Sequence, residues 1–389
     1  MKPYRETYLV AHPSAELYGS DRVLLETVEG LVSTGARIVV TVPSHGPLVF
    51  EILARRAEVT IRPSTVLQKK MLTPHGMARL LWDGVASFRS TLEQLREYRP
   101  SVVYVNTVTI PLWPIVARLA GCKVVVHVHE ADGANSRAIR FAMTLPLLFA
   151  SLVVANSEYT TEVLRRSLKA VVARTRVVYN GVPGPTNWSE PREHLDGTFR
   201  LLYFGRLSHR KGVDVAVDAL AELSRRGIKA TLDIVGAVYP GNETYESDLR
   251  TLVSDYGLEG EIRFHGFQGN VWPYLEGADA AVIPSRLEES FGNTAVEALL
   301  AARPIIVSDN SGLREAAGGY TSVQFVRPGS PAEVRVAVEH LIQAWPHWRK
   351  RAIDDRRTAH RKHNPLLYQQ DVAAIVRGFA SPVPIDHVR

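Results

Sequence analysis

Glu289 and Glu297 stand eight positions apart in the stretch Pro284-Ser285-Arg286-Leu287-Glu288-Glu289-Ser290-Phe291-Gly292-Asn293-Thr294-Ala295-Val296-Glu297-Ala298. The apolar run Ala280-Ala281-Val282-Ile283 leads in and reads as a short buried strand. Asn293 onward, through Ala301, reads as a helix with Asn293 near its cap. A strand, a loop and a helix in that order aim the unpaired N–H groups of the first helical turn at the loop. A phosphate there is stabilised by hydrogen bonds and by the helix dipole. The two carboxylates are poor partners for that phosphate, because like charges repel. Their natural partners are hydroxyl groups, so the pattern suits a phosphate flanked by sugars. An ordinary loop with solvated glutamates is the plain alternative.

A second loop carries cations. In Leu201-Leu202-Tyr203-Phe204-Gly205-Arg206-Leu207-Ser208-His209-Arg210-Lys211-Gly212, a strand ends at Gly205 and a helix begins after Gly212. Arg206 and Lys211 flank the loop, and a guanidinium with an ammonium at one strand end suits a diphosphate. The loop is not a P-loop, which needs Gly-Lys followed by Ser or Thr. Here Arg210 precedes Lys211 and Gly212 follows it. A solvated basic turn is the alternative.

The segment around Glu289, Phe291-Gly292 and Glu297-Ala298 resembles the carboxylate signature of the family 4 glycosyltransferases. The resemblance covers nearly the whole chain and is densest over residues 200–330. It implies an α/β chain of GT-B fold, with two Rossmann-like parallel-sheet domains facing a central cleft. It also implies a retaining, hexosyltransferase-type enzyme with a nucleotide-diphosphate sugar as donor. Glu297 would hold the ribose hydroxyls and Glu289 a hydroxyl of the transferred sugar. The backbone of Ser290, Phe291, Gly292 and Asn293 would meet the diphosphate. Gly205, Arg206 and Lys211 match the family's pyrophosphate loop. Gly19 and Ser20, after the first strand, resemble the family's Gly-Gly loop. Ser20 departs from that pattern, and its Cβ narrows the approach to a backbone N–H. In His127-Val128-His129-Glu130, His129 aligns best with a histidine that contacts the transferred sugar; a packed histidine pair is the alternative. Gly312-Leu313-Arg314-Glu315 resembles a structural loop of the family, and Phe264–Phe267 a strand end lining the nucleotide base.

Metal chemistry finds little support. The chain has no Asp-x-Asp motif, and His127-Val128-His129-Glu130 is not the His-Glu-x-x-His zinc motif. No cofactor and no metal are therefore expected. No residue is an obvious covalent nucleophile. A GT-B sugar-nucleotide epimerase and a non-catalytic sugar-nucleotide-binding protein remain as alternatives.

The elements that must position these residues follow from length and pattern. The chain has 389 residues, enough for two full cores. Its 46% hydrophobic and 22% charged content is ordinary for a soluble globular protein. Short apolar runs at Tyr8–Ala11, Ile38–Val42, Val102–Val105, Lys123–Val126 and Leu152–Ala155 alternate with helical stretches such as Asp21–Val32 and Phe88–Tyr98. The second half repeats the pattern at Leu201–Phe204, Thr231–Val235, Ile262–Phe264, Ala280–Ile283, Pro304–Val307 and Ser322–Phe325. That is the signature of parallel sheets covered on both faces. The expected division is an acceptor-side domain over 1–180, a Gly/Pro-rich linker over 181–197, and a donor-side domain over 198–362. By resemblance, a helix within 363–389 crosses back to the first domain.

The lone Cys122 excludes a disulfide framework, and Met1–Thr7 is polar without an apolar leader, so a cytoplasmic protein is expected. The uncharged run Phe141–Ala155 is shorter than the ~20 residues of a spanning helix and contains Pro146. It reads as a buried helix end running into a strand. The net charge of +6 belongs to the first half, where residues 1–197 carry 23 Lys+Arg and 17 Asp+Glu. Within it, Lys69 and Lys70 stand beside Met71, Leu72 and Met77. Such a segment suits peripheral contact with an anionic membrane at its inner face and a lipid-linked acceptor, or is a solvated loop and helix. A sugar acceptor is equally expected. Nucleic acid is not, since no binding motif or aromatic stacking run is present.

Overall fold

The structure is a computed structural model that describes residues 6–67, 74–130, 136–239 and 241–380. The described residues fall into two compact units, one within Met1–Gly181 and Pro365–Arg389, the other within Val182–Asn364. In the first, β1 (Thr7–Ala11), β2 (Arg37–Val42), β3 (Glu58–Ile61), β4 (Val102–Val105), β5 (Lys123–Val128), β6 (Leu152–Ala155) and β7 (Thr175–Val177) make one parallel sheet in the order β3-β2-β1-β4-β5-β6-β7. The helices α1 (Gly19–Val32), α2 (Pro47–Ala54), α3 (Pro74–Tyr98), α4 (Leu112–Leu119), α5 (Arg137–Thr144) and α6 (Glu158–Ser167) lie between them in sequence. Strand period two then builds two cores. Tyr8 and Val10 pack on one face of the sheet, Leu9 and Ala11 on the other.

The second unit repeats this plan. β8 (Phe199–Phe204), β9 (Ala230–Val235), β10 (Ile262–Gly266), β11 (Ala280–Ile283), β12 (Ile305–Ser308) and β13 (Val323–Val326) form a parallel sheet in the order β10-β9-β8-β11-β12-β13. Its helices are α7 (Val213–Arg225), α8 (Glu243–Asp255), α9 (Trp272–Gly277), α10 (Asn293–Leu300), α11 (Ser311–Ala317), α12 (Pro331–Gln343) and α13 (Trp345–Lys362). Leu201, Tyr203, Ala280 and Val282 face one core, and Leu202, Phe204, Ala281 and Ile283 the other. In each sheet the strand order reverses beside the first strand, between β1 and β4 and between β8 and β11. Crevices that bind ligands in such sheets open at the carboxyl ends of the strands flanking that reversal.

The expected strands form, and two edge strands join them. β3 and β7 lie at the two edges of their sheet and are half-exposed, so neither carries the apolar run that marks a central strand. Pro304 stays outside β12, having no N–H to donate to a ladder. The run from Phe141 ends α5, turns through a 3₁₀ segment at Leu145–Phe149 and enters β6. Among the described residues no helix is long and apolar enough to cross a membrane. Lys69, Lys70, Met71 and Leu72 lie outside the described residues.

Of residues 181–197, expected to be linker, Gly181 falls in the first unit and 182–197 are packed into the second. The Arg192 guanidinium donates to both carboxylate oxygens of buried Asp279 at 2.6 Å, and the Trp345 indole donates to the Arg192 carbonyl at 3.0 Å. Paired charge and filled backbone acceptors hold this stretch, despite its Gly and Pro content.

The last helix, α14 (Pro365–Ala380), belongs to the first unit. Tyr368, Val372, Ile375 and Val376 form its buried stripe, at the spacing of a helix face. The Tyr368 hydroxyl hydrogen-bonds Thr27 at 2.6 Å, and Gln369 donates to Glu26 at 2.8 Å. Gly30 permits this contact, because a Cβ there would lie 2.6 Å from the Gln369 carbonyl oxygen. We expect Gly30→Val to destabilise the protein by about 1–3 kcal/mol through overpacking. Urea unfolding monitored by far-UV circular dichroism checks this, and an unchanged midpoint would show that α1 and α14 do not pack as described.

Candidate active site

The second unit's candidate residues gather at the ends of β8 and β11. After β8, the Tyr203 hydroxyl donates to the Arg206 carbonyl at 2.7 Å and fixes the start of the loop. The loop passes through a 3₁₀ turn at His209–Lys211 to Gly212, which is left-handed (φ 67°) and caps α7. A Cβ on Gly212 would sit 2.1 Å from the Pro284 carbonyl oxygen, so only glycine lets this loop close on the end of β11. The Arg286 N–H then donates to the Arg210 carbonyl at 2.9 Å.

Glu289 is the meeting point. Its Oε1 lies 2.9 Å from the Lys211 ammonium and accepts from the Ser285 hydroxyl at 2.9 Å. Its Oε2 accepts from the Arg210 guanidinium at 3.1 Å. Arg210 also donates to the Glu288 carbonyl at 2.7 Å. Burial alone pushes the Glu289 carboxyl up. The Lys211 and Arg210 cations, with hydrogen bonds from Lys211 and Ser285, outweigh that and hold it below the ordinary glutamate value. The neighbouring Glu288 faces elsewhere, accepting from the Ser311 N–H of α11 at 2.7 Å.

The remaining donor-side candidates are distributed around this pair. Arg206 is exposed, with its guanidinium 5.4 Å from the Tyr239 ring centroid. Gly205 has φ 139° at the end of β8. The helix α10 starts at Asn293, and its cap is Gly292 (φ 127°), one residue before the expected cap. Glycine suits this position because side-chain-bearing residues rarely adopt that φ, and a Cβ would also press on Leu313 Cδ2 at 2.6 Å. Phe291 is core, packed 5.8 Å from the His363 ring, so only its backbone is offered to a ligand. Ser290 is half-buried in the turn, and Glu297 half-buried on α10. His265, at the end of β10, hydrogen-bonds Asp233 at 2.6 Å and packs edge-on against Tyr274.

The first unit has its own polar cluster at the ends of β1, β4 and β5. Gly19 and Ser20 open α1, where the Asp21 carboxylate accepts from the Tyr18 N–H at 2.8 Å. His127 and His129 share a face as alternation requires, their rings 3.9 Å apart. His127 Nδ1 pairs with the Tyr104 hydroxyl at 2.8 Å, and His129 Nε2 with Asn106 Oδ1 at 2.9 Å. Burial pushes the His127 imidazole down to about 3. Burial, reinforced by His127 and His12, also holds His129 well below its ordinary value, so both rings are neutral at physiological pH. Glu130 accepts from the Thr107 hydroxyl at 2.6 Å, and burial pushes its carboxyl up against that bond. Among the described residues no group of three or more His, Cys, Asp or Glu is placed to hold a metal ion.

Several members of these clusters carry no sequence motif. Arg210 pairs with Glu289 as directly as Lys211 does, and its one signal was its place beside Lys211 in the basic loop. Tyr104, His12 and Asn106 stand within one residue of the carboxyl ends of buried strands, and a polar residue in that position was the available clue; Ser285, by contrast, lies in the Pro-Ser that opens the carboxylate signature.

Two family models match the chain, "Glycosyltransferase Family 4" over residues 18–183 and "Glycosyl transferases group 1" over residues 186–357. The chain is 27% identical over 252 residues to a 2-deoxystreptamine glucosyltransferase of Streptomyces kanamyceticus, covering 59% of this chain and 64% of that protein. It is 32% identical over 176 residues to a D-inositol 3-phosphate glycosyltransferase of Frankia alni, covering 43% of each. These matches span less than two thirds of either relative's own length. The crystal structure of Anabaena HepE in complex with UDP-glucose superposes with a TM-score of 0.81 at 20% identity, over 96% of this chain and 100% of that one. The fold is therefore GT-B. The chain belongs to the family 4 glycosyltransferases.

The carboxylate cluster predicts a pH signature. Because the Glu289 carboxyl lies below its unfolded value, its contribution to stability is present above the ordinary glutamate range. That contribution is lost as pH falls through the lowered folded value. Lys211→Ala removes the leading opposing cation and lets burial push Glu289 up. We expect a loss of about 1–3 kcal/mol at pH 7.5, shrinking by pH 4. Denaturant unfolding at both pH values checks this, and a deficit that grows on acidification would contradict the pairing.

Proposed function

We propose that this protein transfers a sugar from a nucleoside diphosphate donor to a hydroxyl acceptor, with retention of anomeric configuration and without a metal ion. The observation that carries the reading is the buried Glu289 carboxylate, held by Lys211, Arg210 and Ser285 beside the N-terminus of α10. A carboxylate oriented this way suits hydroxyl groups of the transferred sugar. Glu297 suits the ribose hydroxyls, and the backbone of Ser290–Asn293 with Gly205 suits the diphosphate. When the donor C–O bond breaks, its electron pair leaves with the diphosphate, and the acceptor oxygen bonds the anomeric carbon as its proton passes to the departing diphosphate oxygen. Arg206, Lys211 and the first-turn N–H groups of α10 meet the charge left on the diphosphate, a task that needs no metal ion. In the first unit, Gly19 and Ser20 stand at the N-terminus of α1, and His129 contacts the transferred sugar by resemblance to the family.

Relatives of this chain include a lipopolysaccharide 1,2-N-acetylglucosaminetransferase of Salmonella typhimurium, which supports an acceptor in cell-envelope polysaccharide or glycolipid synthesis. The basic excess of residues 1–197 supports peripheral contact at the cytoplasmic face of the membrane, where a lipid-linked acceptor is met.

A panel of nucleotide sugars, beginning with UDP-glucose, tests the reading through release of nucleoside diphosphate. One or a few donors should be consumed slowly by water and faster with an acceptor, and excess chelator should leave the rate intact. Consumption of no donor would refute transfer. Loss of activity on chelation, restored by magnesium or manganese, would refute metal independence. Arg206→Ala should cost about 2–4 kcal/mol of transition-state stabilisation.

The carboxylate roles separate in binding. Glu297→Gln should weaken the intact donor and the free nucleoside diphosphate alike, because both carry the ribose. Glu289→Gln should weaken the donor and spare the diphosphate. Titration calorimetry with both ligands reads the difference, and equal losses in both variants would contradict the division.

A further inference from the structure

We propose that Asp21, His12 and Asn106 form a one-way chain of hydrogen bonds that holds His129 as its neutral Nε2–H tautomer and leaves Nδ1 to accept from a substrate hydroxyl. The substrate end of this proposal rests on the sugar-transfer reading above; the tautomer itself does not. The three residues act through His129 and need touch no substrate.

The chain is set by where its residues fall. His12, Asn106 and His129 each directly follow a strand, β1, β4 and β5, and these three strands are adjacent in the sheet. All three residues and Asp21 are buried. A buried donor or acceptor set against a mismatched partner is costly, so a ring nitrogen that faces a polar atom here is matched to it.

Direction comes from Asp21. It lies in the first turn of α1, and its Oδ2 already accepts from the Tyr18 N–H at 2.8 Å. A carboxylate only accepts, so His12 Nε2, 2.7 Å from Oδ1, carries the hydrogen. On its other side, His12 Nδ1 lies 3.1 Å from the Asn106 amide nitrogen, which only donates, so Nδ1 accepts and the single ring hydrogen of His12 is the one at Nε2. That fixes the amide with Oδ1 toward His129, at 2.9 Å from Nε2. An amide oxygen only accepts, so Nε2 of His129 carries its hydrogen and Nδ1 keeps its lone pair. The neighbouring His127, its ring tilted against that of His129, is engaged through Nδ1 with the Tyr104 hydroxyl, and its Nε2 is buried with no hydrogen-bond partner. The opposite tautomer of His129 would set its Nε2 lone pair against the Asn106 oxygen at a buried position.

Histidine-selective ¹⁵N NMR on the full chain reads the tautomer directly. The chain has thirteen histidines, and His129→Gln identifies the signal. The wild type should show His129 neutral and protonated at Nε2. In Asp21→Asn the amide oxygen keeps the Tyr18 N–H, so the new NH₂ faces His12. His12 must then accept at Nε2 and donate from Nδ1, Asn106 turns over, and His129 becomes the Nδ1–H tautomer. The tautomer should switch in this variant although Asp21 does not touch His129. Donor kcat/KM should fall at least about tenfold, the direction expected for a wrong catalytic tautomer. Affinity for free nucleoside diphosphate should not change.

A second pair of variants leaves the α1 cap intact. Asn106→Asp keeps an acceptor toward His129 and should retain Nε2–H, whereas Asn106→Leu should give mixed tautomers. A wild-type His129 that is charged or protonated at Nδ1 overturns the proposal. So does an unchanged His129 signal in both Asp21→Asn and Asn106→Leu. A switched tautomer with unaltered transfer overturns the positioning role. Absence of any transfer by the wild type overturns the function reading instead, while the NMR result still decides the chain.

Discussion

A buried carboxylate loses more hydration than one partner returns, so it persists only where several cations and donors converge on it. Glu289 is 5% exposed, and its partners Lys211, Arg210 and Ser285 come from two separate strand ends. The rest of the second unit's site depends on that convergence. The loop after β8 can deliver Lys211 only because Gly212 has no side chain to strike Pro284. The far side of the turn is equally tight, since a Cβ on Gly312 would lie 1.9 Å from the Glu289 carbonyl oxygen. Two glycines thus set the backbone approach, and the ion pairs use it.

The two sheets solve one topological problem with different chemistry. Both open at the reversal of strand order, and both put polar residues at the carboxyl ends of the strands beside it. The second unit fills that position with full charges. The first fills it with neutral imidazoles and an amide, with Asp21 at the buried end. Burial keeps His127 and His129 uncharged, so the first unit offers oriented hydrogen-bond groups where the second offers an electrostatic field. A hydroxyl needs the former and a diphosphate the latter.

How much of this was legible in the sequence varies by the kind of signal. The central strands were plain, because parallel strands buried on both faces read as unbroken apolar runs. The edge strands β3 and β7 were not, since half-exposed strands carry polar residues at the same density as loops. The stretch 182–197 read as linker from its glycines and prolines, yet Arg192 anchors it through a contact with Asp279, 87 residues away, that no local pattern reveals. Glu289, Glu297, Arg206 and Lys211 were visible because their motif is local. The Asp21–His12–Asn106–His129 chain was not, because its members are scattered over more than a hundred positions and meet only once β1, β4 and β5 lie side by side.

The adjacent Glu288 and Glu289 show why geometry must choose between neighbours. Both are glutamates in the same loop, and composition treats them alike. Glu288 is consumed by the Ser311 N–H at the start of α11. Glu289 is turned onto Lys211 and Arg210, which leaves that trio with one net positive charge, and Arg206 adds another nearby on the chain. In the proposed reaction those cations fall short of balancing a fully ionised diphosphate with a further leaving charge. The helix α10 adds the partial positive charge of its N-terminus, which is fixed in place by the Gly292 cap. The glycine that starts α10 is in this sense as much a part of the site's electrostatics as the lysine, because moving the first turn would move the donors.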